Sequence, residues 1–416
     1  SSDRPVMILS DNGIDHALLM LGAMQVGVPV VPVSTAYSRL SQDFAKLRYI
    51  SAATRPGLVY ARQREVYGRA LDAVDWGGAE IVTGGIESLA ETRPTEAVDE
   101  AFARVGPDTV AKILFTSGST GLPKGVINTQ RMLTSNQEMI AAVWPVLERK
   151  APVVVDWLPW NHTFGGNHNI NIVLRNGGTM YIDEGKPAPG LVEKTARNLC
   201  DVSPTIYFNV PRGYAMLLDF LEHDAALAES FFRALDIVFY AGAALPQSLW
   251  QRIEALARKT TGRVPAMISS WGLTETAPMA TAVHYPIERA GNVGVPPPGC
   301  ELKLVPTDGK LEMRVRGPNV TPGYWRDPER TRSAFDDEGF YLTGDAARLA
   351  DPADPNRGVV FDGRLGENFK LSSGTWVNVG ELRVAAIAAG APVIEDCVVA
   401  GHDRDEVTLL VFPSLA

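Results

Sequence analysis

Phe115-Thr116-Ser117-Gly118-Ser119-Thr120-Gly121-Leu122-Pro123-Lys124-Gly125 packs hydroxyls, glycines and one lysine into a turn between two apolar runs. Glycines let backbone N–H groups come close to an anion, the Thr and Ser side chains add donors, and Lys124 adds a point charge. That combination suits a polyphosphate. It is not a Walker A loop, which closes on Gly-Lys-Ser/Thr: here Pro123 precedes Lys124 and Gly125 follows it. The bland alternative is a plain hairpin between 110–115 and 125–128, the better reading for a lone Gly/Ser loop. The length and mix of this string favour the phosphate.

The string resembles the phosphate-loop signature of the acyl-adenylate-forming superfamily, which includes acyl-CoA synthetases, luciferases and the adenylation domains of peptide synthetases. The resemblance implies that Thr116, Ser117, Gly118, Ser119, Thr120 and Gly121 bind ATP and that Lys124 is catalytic. Further motifs follow in the family's order. Trp271-Gly272-Leu273-Thr274-Glu275-Thr276 is similar to its aromatic-Gly-x-Thr-Glu box. By that likeness Trp271 lies against adenine, Gly272 belongs to the nucleotide-binding set, Thr274 contacts phosphate, and Glu275 is catalytic by holding Mg2+, which would neutralise charge as pyrophosphate leaves. Read by itself, Trp271 is equally at home as core and Glu275 as a solvated charge at a helix start.

Tyr341-Leu342-Thr343-Gly344-Asp345 is similar to the family's Thr-Gly-Asp box, which implies that Asp345 accepts hydrogen bonds from the ribose hydroxyls; a carboxylate offers two acceptor oxygens and no donor. Gly363-Arg364, with Lys370 six positions on, resembles the hinge, where Arg364 would bind ribose or phosphate and Lys370 would serve thiol transfer. Gly366 departs from the usual Asp or Lys. Tyr240-Ala241-Gly242-Ala243-Ala244-Leu245-Pro246 resembles the small-residue strand end that walls adenine (Gly242, Ala243, Ala244) and the acyl pocket (Tyr240, Ala241, Gly242). A close helix–sheet turn would need the same small residues.

His162, within Trp157-Leu158-Pro159-Trp160-Asn161-His162-Thr163-Phe164-Gly165-Gly166, stands where the family often places a catalytic histidine beside the acyl carboxylate. With Asn161 and Phe164 it makes a mixed aromatic and polar lip, and Phe164 with Tyr240 to Ala244 is expected to wall a flat apolar slot for the acid. His16, His223, His284 and His402 are read as structural or surface residues. The stretches 160–169 and 369–380 most resemble feruloyl-CoA synthases. The resemblance therefore implies a ligase using ATP, Mg2+ and coenzyme A on a hydroxycinnamate-like acid. Ligases for other aryl or medium-chain acids, or for a carrier protein, remain open, as does a nucleotide-binding regulator without catalysis; intact Lys124, Glu275, Asp345 and Arg364 weigh against the last. No lysine follows Lys370, whereas the family's C-terminal lid brings one to the forming acyl phosphate. We therefore expect the native protein to continue past Ala416, and to begin before Ser1.

Elements must hold these residues in place. Apolar 6–9, helical spacing over 13–24 and apolar 28–33 read as a βαβ unit. A helix begins near Thr129, a suitable cap. Strands are expected at 153–158, 179–182, 205–210, 237–240 and 266–269, separated by helical stretches, which implies largely parallel sheets covered by helices. From about 283 the texture turns to Pro, Gly and short alternating runs, with strands at 301–305 and 311–315. A helix over 380–389 and strands at 397–401 and 407–412 close the chain. The expected class is α/β: a large N-terminal domain, 1–365, of two α/β subdomains plus a β-rich subdomain over about 283–365, then a small, incomplete α+β lid, 366–416.

Composition sets the outer limits. The 416 residues carry a formal charge of −9 with 45% hydrophobic and 21% charged residues, and no basic run marks a nucleic-acid surface. Cys200, Cys300 and Cys397 are far apart and fit no metal spacing, as expected for reduced thiols of a cytoplasmic protein. No run approaches a membrane span. The expected partners are a small carboxylic acid, ATP and CoA, with no nucleic acid and no membrane; a monomer or a homodimer is equally compatible.

Overall fold

A computed structural model of the chain describes residues 1–117, 121–287, 289–307, 309–367, 369–390 and 393–413, with the backbone alone for 88, 381, 384, 388 and 395. The apolar runs of the first third become a sheet. Strands β1 (Val6–Ile8), β2 (Val30–Pro32), β3 (Leu58–Ala61), β4 (Glu80–Thr83), β5 (Val110–Thr116) and β6 (Lys124–Thr129) lie in the order β4-β3-β1-β2-β5-β6. The βαβ unit is present: β1 pairs in parallel with β2 across the helix Ile14–Gln25. β5 and β6 form an antiparallel hairpin with Thr116 opposite Lys124, so the phosphate loop is the tip of that hairpin. Beyond β6 the helix Gln130–Val143 starts where expected, with Thr129 Oγ1 accepting the Met132 N–H at 3.3 Å.

The second α/β layer holds β7 (Val153–Asp156) and β8 (Thr179–Ile182), paired in parallel, and β9 (Ile206–Asn209), β10 (Ile237–Tyr240), β11 (Ala266–Gly272) and β12 (Met279–Ala282) in the order β12-β11-β10-β9. Successive strand residues face opposite sides. Phe208 and Phe239 therefore join one buried cluster with Trp144, Phe164 and Trp271. Tyr207, Val238 and Tyr240 join another, against the helices Pro211–His223, Ala225–Arg233 and Gln247–Thr261.

Strands β13 (Asn292–Gly294), β14 (Glu301–Thr307), β15 (Lys310–Arg316), β16 (Tyr341–Leu349) and β17 (Val359–Arg364) make an antiparallel sheet in the order β13-β17-β16-β15-β14. The C-terminal unit has two hairpins, β18 (Phe369–Lys370) with β19 (Trp376–Val377) and β20 (Ile394–Ala400) with β21 (Thr408–Pro413), around the helix Val379–Gly390 and a small core of Phe369, Val377 and Val399. It docks on the third sheet through Asn378 Nδ2, which donates to Asp362 Oδ1 at 2.8 Å. The expected α/β class with its β-rich sheet and small C-terminal unit is thus present; β3, β4, β12, β13 and β16 to β19 were not foreseen. Among the described residues no helix is long and apolar enough to cross a membrane.

Candidate active site

The hairpin tip brings Lys124 onto Glu275. Lys124 Nζ lies 2.7 Å from Glu275 Oε1, with side-chain exposures of 24% and 5%. Tyr324 completes the group: Lys124 Nζ donates to its hydroxyl at 3.1 Å, and that hydroxyl donates to Glu275 Oε1 at 3.1 Å and lies 2.9 Å from the Tyr341 hydroxyl. Burial alone would lower the Lys124 pKa, but the adjoining carboxylate overrides it and holds the amine above its ordinary value. Among the described residues Thr116 Oγ1, at the end of β5, is buried without a hydrogen-bond partner, a hydroxyl open to a ligand. Gly121 adopts φ +83°, which its lack of a Cβ permits. Ser117 is exposed beside the loop. Gly118, Ser119 and Thr120 lie outside the described residues.

The second half of the site is built on β11, β16 and β17. Trp271 Nε1 donates to Asp345 Oδ2 at 2.9 Å, and Arg364 Nε lies 3.5 Å from Asp345 Oδ1. Burial raises the Asp345 pKa, while the indole N–H and Arg364 oppose the shift. Each carboxylate oxygen keeps a second lone pair, which leaves Asp345 able to accept from a diol while Trp271 holds it still. Gly272 sits where a Cβ would meet Pro278 O. Thr274 is buried next to Glu275 in a short helical turn, Thr274–Thr276. Gly242, at φ +84°, and Ala243 and Ala244 are exposed at the end of β10, with half-buried Ala241 before them.

The lip has a shape not foreseen from sequence. Residues Phe164–Asn169 form a π-helical turn, a form concentrated at functional sites. His162 keeps a face to solvent, and its Nδ1 accepts the Phe164 N–H at 3.2 Å; desolvation by the packed side of the lip lowers its pKa. Phe164 is buried against Phe208, Phe239 and His168. Tyr240 points to the other face of its sheet, edge-on to Trp250 at 6.0 Å. Phe164 and Tyr240 therefore cannot wall one slot, because neighbouring positions on a strand face opposite sides; Ala241 and Gly242, at the strand's end, stay on the open side.

Lys370 stands on β18 with its amine 4.8 Å over the Trp376 ring, and among the described residues it makes no hydrogen bond or ion pair with the nucleotide-site residues. Sequence reasoning passed over Tyr324 and Tyr341 as site partners, Lys112 in β5, and His168. The last three carried a visible signal: Tyr341 opens the Thr-Gly-Asp motif, Lys112 interrupts an apolar run, and His168 lies in the lip segment. Tyr324 carried none. Burial takes the His16 and His168 pKa values down to about 4 and the Lys112 amine to about 7.

A metal at this site would find one carboxylate. Among the described residues no three His, Cys, Asp or Glu side chains gather into a cage. A single buried Glu275 beside a phosphate loop fits Mg2+, which is held by one or two carboxylates together with substrate phosphates.

Residues 1–325 match the AMP-binding enzyme family. Benzoate–CoA ligase of Thauera aromatica is 28% identical over an alignment of 421 positions that takes in 97% of this chain and 74% of the ligase. The probable CoA ligase CCL8 of Humulus lupulus is 28% identical over 328 residues, 73% of this chain and 51% of the relative. The chain thus spans about half the length of that relative. Among solved structures, a malonyl-CoA ligase in a ternary product complex with methylmalonyl-CoA and AMP superposes with a TM-score of 0.69 at 28% identity, covering 98% of this chain and 83% of the other. The family match takes in 325 of 416 residues and both halves of the Lys124–Glu275 pair: the chain belongs to the AMP-binding enzyme family.

Proposed function

We propose that this chain is the adenylate-forming part of an acid–thiol ligase. The observation that carries the reading is the pair of Lys124, from the hairpin tip, and buried Glu275 at 2.7 Å: a phosphate cation and a metal-type carboxylate, side by side. In the reaction a carboxylate oxygen of the acid attacks the α-phosphorus of ATP, the bond to pyrophosphate breaks, and acyl-AMP forms. A thiolate sulfur, that of coenzyme A, then attacks the acyl carbon, and the C–O bond to AMP breaks to give the thioester. Mg2+ held at Glu275 would supply charge neutralisation for the departing pyrophosphate. Thr116, Ser117, Gly121 and Lys124 hold the polyphosphate, Asp345 and Arg364 the ribose, and Trp271 fixes Asp345. His162 stands at the lip to meet the acid carboxylate. The chain divides at 365/366 into the core and a lid that carries Lys370 into the thiol-transfer pose, in the cytoplasm.

The acid in this reading is a planar hydroxycinnamate such as ferulate. It rests on the feruloyl-ligase phrasing of 160–169 and 369–380 and on Phe164, a flat aromatic edge at the base of the lip. A benzoate-type acid is the runner-up, since the Thauera relative is a benzoate–CoA ligase. Pyrophosphate release with ATP and Mg2+, measured with ferulate, benzoate and octanoate in competition, tests both levels. We expect ferulate to win; equal or better turnover of octanoate contradicts the aromatic assignment, and no acid-dependent release contradicts the ligase.

A further inference from the structure

Lys112 is a charged side chain that the chemistry above does not use. It is fully buried in β5, in a run otherwise apolar, where an amine is costly unless hydrogen-bonded. Its Nζ donates to Gly166 O at 2.5 Å, across 54 residues of sequence. Its cross-strand neighbour on β6 is Asn128, also fully buried. Asn128 Oδ1 accepts from Asn167 Nδ2 at 2.7 Å. Two paired residues of the phosphate hairpin therefore grip two consecutive residues of the Phe164–Asn169 turn.

The turn has no slack to absorb a loss of that grip. The Gly166 N–H donates to His162 O at 2.8 Å, and a Cβ on Gly165 or Gly166 would run into Leu158 O or Trp160 O. Gln137 Nε2 also donates to Asn167 O at 3.4 Å and Asn169 Nδ2 to Asp156 Oδ2 at 2.9 Å, but Lys112 and Asn128 are the side chains of the phosphate hairpin itself that tie the lip carrying His162 and Phe164 to it. Reacting atoms must meet within a few tenths of an ångström, and a misplacement of about 1 Å from a remote change costs roughly a hundredfold. We infer that Lys112 and Asn128 are positioning residues that lock the acid-binding lip to the phosphate hairpin, so that the acid carboxylate meets the α-phosphate in reach. This assignment rests on the ligase reading.

The test is Lys112→Met, which keeps length and removes the donor, beside Asn128→Leu and Asn128→Asp, which keeps an acceptor for Asn167 but loses the amide that donates to Val126 O at 3.2 Å. In pyrophosphate-release kinetics the first two should raise the KM for the acid about tenfold or more while the KM for ATP stays within about twofold; Asn128→Asp, which keeps the acceptor, should raise the acid KM less than Asn128→Leu does. Hydrogen exchange should quicken about tenfold over 162–169 and stay unchanged in the helix Gln130–Val143. An unchanged acid KM, or an equal rise in both KM values as a merely structural role would give, overturns the assignment. If Lys112→Met does not fold, Asn128→Leu against Asn128→Asp decides by the same readouts. A wild-type chain without acid-dependent release sinks the ligase reading itself, an outcome distinct from active wild type with normal variants.

Discussion

Glu275 sets the first prediction at the scale of a residue. It is 4% exposed and meets Lys124 and Tyr324 on one oxygen, so its charge is aimed at what the hairpin tip holds. Glu275→Ala should lower turnover roughly a hundred- to a thousandfold, the usual loss for one preorganised electrostatic contact, with a smaller effect on ATP affinity by calorimetry. A loss below about threefold contradicts the role. His168 gives a second expectation. It stacks on Phe239 at 5.0 Å, and its buried ring has a pKa near 4 against 6.5 in the open chain. Between those values the unfolded chain binds the extra proton, so this residue's contribution to stability rises with pH from 4 to 6.5 and is lost on acidification, by up to about 1.4 kcal/mol per pH unit. Asp156, pushed to about 7 by burial, acts with the opposite sign over its own window. The comparison is therefore wild type against His168→Phe in urea titrations at several pH values; the variant should lose that part of the slope, and identical slopes contradict the assignment. Lys124, Glu275 and Asp345 were legible in the sequence because each lies in a short string of unusual composition. Tyr324 was not, because its contact with Lys124 spans 200 positions and no local pattern encodes it.

At the scale of elements, strong local signals survived folding. Thr129 caps the helix Gln130–Val143 as its position before an apolar-periodic run implied. Thr129→Ala should cost about 1 kcal/mol in chemical denaturation with an unchanged m-value; a cost under a few tenths would mean that packing, not the cap, fixes this helix start. Strands at 179–182 and 237–240 fell where β-branched and aromatic runs placed them. β4 escaped because at the sheet edge it is largely exposed and lacks a buried run; β3, a buried apolar run as long as the strands that were foreseen, was within reach of the same reading. The π-helical turn escaped for another reason: its glycines and buried Asn167, His168 and Asn169 read as a loop, and their partners Asn128 and Asp156 come from two different strands. Phe239 and Tyr240 are neighbours on one strand, so only one of them can face Phe164, and the alternation places Phe239 there.

At the scale of the molecule, three sheets converge on one place: the β5–β6 tip, the end of β11 with Glu275 just beyond, and Asp345 and Arg364 on β16 and β17. The order of motifs along the chain foretold that convergence, whereas how the C-terminal unit moves is not written in local spacing. Lys370 lies over Trp376 on that unit, which in the proposed account is a pose that rotation changes between the two half-reactions. Adenylation does not need the thiol. The measurement that tests the central claim most directly is therefore mass-spectrometric detection of acyl-AMP from wild-type protein with ATP, Mg2+ and ferulate, without coenzyme A. The account predicts feruloyl-AMP and an equal amount of pyrophosphate, both absent without acid or with Glu275→Ala at matched times. Pyrophosphate release that is independent of acid, or ATP binding with no acyl-AMP from any carboxylic acid, would contradict it.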